Sequence, residues 1–84
     1  MDEEAKLQEV KTVLKELSDY NDEEIKLWIS VVVDYMRGAG VSENRINSTS
    51  SIGLIALGVE ALRLREDFSE TFKSLVIQYA MRGD

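Results

Sequence analysis

Cysteine, histidine and proline are all absent from this chain of 84 residues. Without cysteine no disulfide can staple the fold, and without thiolate or imidazole the common zinc ligand sets are excluded. The lack of proline suits a chain made mostly of helix, because nothing removes a helical N–H donor or clashes with a preceding turn. No apolar run approaches the ~20 residues that a membrane-spanning helix needs. The length allows one domain spanning residues 1–84. A chain of this size buries little more than ~60% of the surface its unfolded form exposes, so efficient packing or partners must supply the margin.

Basic residues are also scarce in one half. The net charge is −6, and residues 1–34 carry ten acids against four lysines while residues 35–84 carry six of each sign. A nucleic-acid reader shows a clustered basic face, and none is visible, so sequence-specific nucleic-acid binding is not expected. The opening MDEEAKLQEV is acidic where a signal peptide would be basic, which predicts a soluble, intracellular protein. The acidic half reads most simply as solvated helix surface.

What is present is helical periodicity. Leu7, Val10, Val13, Leu14 and Leu17 recur at intervals of three and four, predicting a helix over about residues 3–17. Asp2, Glu3 and Glu4 stand where the positive end of its dipole favours them. A second helix is expected over 22–37, with Asn21 as cap and Glu24 three residues on. Ile25, Trp28, Ile29, Val32, Tyr35 and Met36 share one face of it, and Leu27 with Val31 widen the apolar arc toward Asp34.

The stretch YMRGAGVSENRIN follows, with two of the five glycines around one alanine. Gly38 lies just past the last periodic residue, where a left-handed backbone ends a helix, and Gly40 allows a second reversal. Val41 is expected to fold back on the helix end, and Ile46 to plug the core from a short turn. Ser50 or Ser51 then caps a third helix over 52–65, IGLIALGVEALRL, apolar nearly all round apart from Glu60 and Arg63 and therefore central. Gly53 and Gly58 within it predict close approach of a neighbour. Asp67 or Ser69 caps a fourth helix over 70–82, with Phe72, Leu75, Val76, Tyr79 and Ala80 inward and Gly83 as the stop. The expectation is an all-α, compact bundle of about four helices.

Catalytic chemistry is hard to assemble from these residues. No nucleophile elbow, Ser-x-x-Lys motif or phosphate-cradling glycine loop occurs. The acids of DEE and NDEE lack the alternating spacing of a calcium loop and read as dipole and capping residues. No enzyme activity, cofactor or metal is expected. Acyl carrier proteins are acidic four-helix domains of similar length, with a serine at a helix start bearing the prosthetic arm. STSSIG at 48–53 does place serines there, but the Asp-Ser-Leu triplet of that family is missing. A helix-turn-helix reader would need basic and amide side chains on the third helix, which carries leucines and alanines instead.

Taken together, YMRGAGVSENRI, SIGLIALGVEAL and FSETFKSLVIQYA resemble the small head–tail connector (head-completion) proteins of tailed bacteriophages. Ala39, Gly40 and Val41 match that family's "AGV" helix end, Gly58 and Val59 its "GV" step, and Phe68, Ser69 and Gln78 its last segment. The chain departs from the family at EALRLRED, where many relatives have Asp, an aromatic and a glycine-bearing loop. The resemblance implies a structural virion protein, made in the host cytoplasm, that forms a ring below the portal and joins head to tail around the DNA channel. Its partners would be copies of itself, the portal protein and tail-side connector proteins. Acids facing the channel would repel the phosphate backbone. The alternative is a generic helical interaction module.

Two pairs at i, i+4 spacing are candidate interface residues, Leu27 with Val31 and Ile77 with Met81. Either a wide packing arc buries them inside the monomer, or at least one pair is left for a neighbour to cover.

Overall fold

Asp2 starts the first helix as its sequence suggests: the carboxylate accepts a hydrogen bond from the Ala5 N–H at 2.7 Å. The computed structural model describes residues 1–82, and the expected stop at Gly83 lies outside them. Helix α1 runs Glu3–Val13 and buries Leu7 and Val10. It ends earlier than expected. Leu14 leaves the helical region at φ −110°, ψ 87°, and the chain tightens into a 3₁₀ turn over Lys15–Asp19. The tighter turn brings Leu17 fully into the core and leaves Val13 exposed, so the five-residue stripe divides between two elements.

Helix α2 spans Asp22–Gly38, capped by Asn21 Oδ1, which accepts from the Glu24 N–H at 2.8 Å. It buries Ile25, Ile29, Val32, Val33 and Met36, with Trp28 and Tyr35 half-buried. Its end corrects the glycine assignment. Gly38 is still helical, and Gly40 alone of the two has positive φ, at 99°. The Val41 N–H donates to Met36 O and the Gly40 N–H to Arg37 O, both at 3.0 Å, while Val41 and Met36 are both buried. This is a Schellman ending, and its left-handed position is Gly40.

A prediction with opposite signs follows. Gly40→Ala should destabilise by about 1 kcal/mol or more, since the backbone there is strained for any side chain. Gly38→Ala should stabilise by roughly 0.5 kcal/mol, because its added Cβ meets nothing within 4 Å and helix propensity improves. Urea midpoints would check both; shifts in the same direction would show that the left-handed residue is misassigned.

Helix α3 is a single turn, Glu43–Ile46, started by Ser42 Oγ and ending with Ile46 fully buried. A 3₁₀ turn over Thr49–Ser51 leads into α4, Ile52–Arg63. Neither Ser50 nor Ser51 caps α4 through its side chain. Ser51 is buried in a helical conformation, its Oγ 2.8 Å from the carbonyls of Ile46 and Ser48, to which it donates. Helix α4 is central as expected, packing against α1, α2 and α5. Close approach occurs at Gly58, whereas Gly53 is exposed with open space around it. Glu60 and Arg63 pair with each other along the helix. Where α4 ends, the Glu66 N–H bonds Ala61 O at 2.9 Å and the Arg65 N–H bonds Leu62 O at 3.1 Å. Arg65 takes the left-handed position at φ 58° that glycine would fill more easily.

Helix α5, Glu70–Met81, is capped by Ser69 Oγ, which accepts from the Phe72 N–H at 3.0 Å. Phe72, Val76 and Tyr79 are buried and Ala80 half-buried, but Leu75 stays 39% exposed, contrary to its expected inward position. Phe68, Phe72 and Tyr35 stack into one aromatic cluster that ties α5 to α2. Four long helices and one short one therefore form an all-α domain, with no strand among the described residues.

Candidate interaction surfaces

The core faces of α2 and α5 decide what is left outside. On α2 the buried set extends to Val33, toward α1, so the arc turns away from Leu27 and Val31. Leu27 is 61% and Val31 43% exposed. On α5, Ile77 is 52% and Met81 80% exposed, because Phe72, Val76 and Tyr79 already fill the side facing α4. None of the four belongs to the core, and the buried-arc reading of these pairs is overturned. Val13, Leu57 and Leu64 are exposed to a similar degree, so what marks these four is their pairing at i, i+4 on one face of each helix.

Acids flank the α2 row. Glu23 and Asp34 have side chains 89% and 74% exposed. Glu23 makes only a loose pair with Lys26 at 3.9 Å, and Asp34 bonds Arg37 at 3.0 Å. Arg37 also pairs with Glu43 at 2.6 Å; that hydrogen bond raises the guanidinium's pKa and lowers the carboxyl's. Lys73 stands at the start of the α5 row, with a 3.6 Å partner in Glu70, and exposed Arg82 at its end.

A second surface lies where the start of α1 meets α2. A cavity of about 610 Å³ is lined there by Lys6, Lys26, Leu27, Val33, Arg37 and Asn47, among others. Lys6 is only 7% exposed; its ammonium donates to Asn47 Oδ1 at 3.1 Å, and the Met1 amino group donates to Asn47 O at 3.0 Å. Reading the sequence for apolar periodicity missed Lys6, although it lies at i−4 from the buried Val10 and so on the core side of α1.

Burial first, and then the charge of Arg37, push the Lys6 ammonium below its ordinary value of 10.5. In the interval between its folded pKa and that value, the unfolded chain holds a proton that the folded chain has released. Stability contributed by Lys6 therefore rises with pH across that interval. Lys6→Met should match or exceed wild type near neutral pH, since a buried cation is replaced by an apolar chain of similar length. The advantage should shrink as pH rises toward 10.5. Lys26, held up by its hydrogen bond to Glu4, acts in the opposite direction but equally in both proteins. Denaturant titrations of the pair at several pH values would check this; a constant difference would place the ammonium in solvent.

A third feature is a shallow groove of about 260 Å³ between α4 and α5, lined by Ser50, Leu54, Leu57, Leu75 and Tyr79 among others. Leu57 and Leu75 leave it partly apolar, and Ser50 Oγ is engaged by Tyr79 Oη at 2.5 Å and Ser48 Oγ at 2.7 Å. Among the described residues, no three carboxylates gather into a metal-binding group, and no helix is long and apolar enough to cross a membrane. Comparison with protein-family models, with curated proteins and with solved structures found no match.

Proposed function

We propose that this chain is a structural connector that works by docking its exposed helix rows on neighbouring proteins, with no catalytic step and no cofactor. The observation that carries the reading is the position of Leu27, Val31, Ile77 and Met81 outside the core. Of the eight large apolar side chains exposed among the described residues, these four form an i, i+4 pair on each of two helices, and burial against a neighbour recovers roughly 25 cal/mol for each Å² covered. The resemblance of residues 35–46, 51–62 and 68–80 to phage head–tail connectors supplies the setting: a ring below the portal, joined to tail-side proteins in the virion. The carrier-protein reading is weakened by Ser51, which is fully buried, and by Ser50, whose hydroxyl is already engaged with Tyr79.

Assembling particles provide the test. Leu27→Ser with Val31→Ser, and separately Ile77→Ser with Met81→Ser, should each fold normally by circular dichroism and yet leave heads unjoined to tails. Serine at these positions removes side chains outside the core, so a variant that keeps its wild-type unfolding midpoint but fails to join heads to tails assigns the loss to docking. If both double variants fold and particles still assemble, the connector reading of these rows is wrong.

A further inference from the structure

We infer that the two exposed rows dock on each other between copies of this chain: Glu23–Leu27–Val31 on α2 of one copy meets Lys73–Ile77–Met81 on α5 of the next. The role of the contact rests on the connector reading, but the pairing rests on the surfaces alone. Each row is an i, i+4, i+8 ridge with a charge at its first position and two exposed apolar residues after it. Ridges of this kind interdigitate at a crossing angle of about −50°, the commonest helix packing in globular proteins.

Charge selects the partner. The α2 ridge has an acid at either end, Glu23 before it and Asp34 after it, and the α5 ridge a base at either end, Lys73 and Arg82. A parallel docking sets Glu23 against Lys73; an antiparallel one sets Glu23 against Arg82 and Asp34 against Lys73. Two α2 ridges docked together would instead oppose acids, and two α5 ridges would oppose bases, which disfavours both self-pairings. Within the monomer, Glu23 and Lys73 have only the loose partners Lys26 and Glu70, at 3.9 and 3.6 Å; the Glu23 side chain is 89% exposed and that of Lys73 42%, so neither charge is locked into a tight pair. Different patches on the two sides make the contact heterologous, and a heterologous contact closes into a ring when its rotation allows.

The absence of native cysteine makes the test clean. Leu27→Cys chains are mixed with Ile77→Cys chains, and in a second mixture with Met81→Cys chains, and joined by a short bismaleimide. Mass spectrometry then counts mixed and self-paired dimers. The mixed dimer should exceed its random-collision share several-fold in at least one mixture. That excess should fall with Glu23→Lys and return when the facing base on the partner is reversed, Lys73→Glu for parallel docking or Arg82→Glu for antiparallel docking. A random share in both mixtures, or an excess of self-paired dimers, overturns the pairing. Since the particle test reads function without regard to which ridges meet, random cross-linking together with failed head–tail joining would sink this pairing and leave the connector reading standing. Selective cross-linking with normal particles would do the reverse.

Discussion

Replacing Gly58 with alanine is expected to lower the stability of the fold by roughly 1–3 kcal/mol, although alanine is the better helix former. An added Cβ would stand 2.7 Å from Val32 Cγ2, 2.8 Å from Val32 Cγ1 and 3.1 Å from Phe72 Cζ. Val32 is fully buried and β-branched, so its side chain has little freedom to turn. Because both methyls lie equally close, rotation would exchange one clash for the other. The remaining response is to move α2 away from α4, which loosens the packing between the two helices. For a domain whose whole stability is on the order of 4–12 kcal/mol, that loss is a large fraction. Thermal and urea unfolding would measure it, and Val32→Ala in the same chain should restore part of it, a coupling that distant sites lack. A Gly58→Ala protein as stable as wild type would mean the two helices do not approach this closely.

The features that were legible in the sequence are those set by a few neighbouring residues. Asn21 and Ser69 cap α2 and α5 because a cap needs only its own side chain and an N–H three residues on. The apolar periods of α2, α4 and α5 carry over to most of the buried sets, Leu75 excepted, and Ile46 is the core plug that a lone apolar residue in a polar turn suggested. Where long-range packing decides, the pattern was silent. No glycine or proline marks the break at Leu14; the break exists because Leu17 reaches the core from a 3₁₀ turn. Arg65 occupies a left-handed position with no glycine to announce it.

The candidate rows show the same limit from the other side. A wide apolar arc gives the number of apolar positions but not which edge a neighbour covers. Ion pairs of Lys11 with Asp22 and Glu4 with Lys26 place α1 on the edge of α2 that also carries Val33, and that choice left Leu27 and Val31 in solvent. Gly38 and Gly40 were a closer case. In a Schellman ending the apolar residue that folds back follows the left-handed one directly, so Val41 pointed to Gly40 rather than Gly38.

Ile46→Ala is expected to cost about 2–5 kcal/mol, although Ile46 lies outside the long helices. Ile46 is fully buried, yet it is carried by one turn of helix between α2 and α4. Its segment also anchors its neighbours through polar contacts. Ser51 Oγ donates to Ile46 O, Tyr79 Oη donates to Arg45 O at 3.2 Å, and Asn47 receives both the Lys6 ammonium and the Met1 amino group. Removing the side chain that seats this turn therefore leaves a cavity and weakens ties to α1 and α5 together. Urea unfolding should show the loss, and hydrogen exchange should quicken over residues 42–51 before the rest of the domain. A loss under about 1 kcal/mol, well below the range for a buried isoleucine, would mean that the turn is an ordinary surface loop. At temperatures where Ile46→Ala remains folded, its α2 and α5 ridges are untouched, so the cross-linking selectivity should persist. The ridge variants should show the converse, keeping wild-type unfolding midpoints while losing the selective dimer. Stability and docking would then separate into two sets of residues: Ile46 and Gly58 inside, Leu27, Val31, Ile77 and Met81 outside.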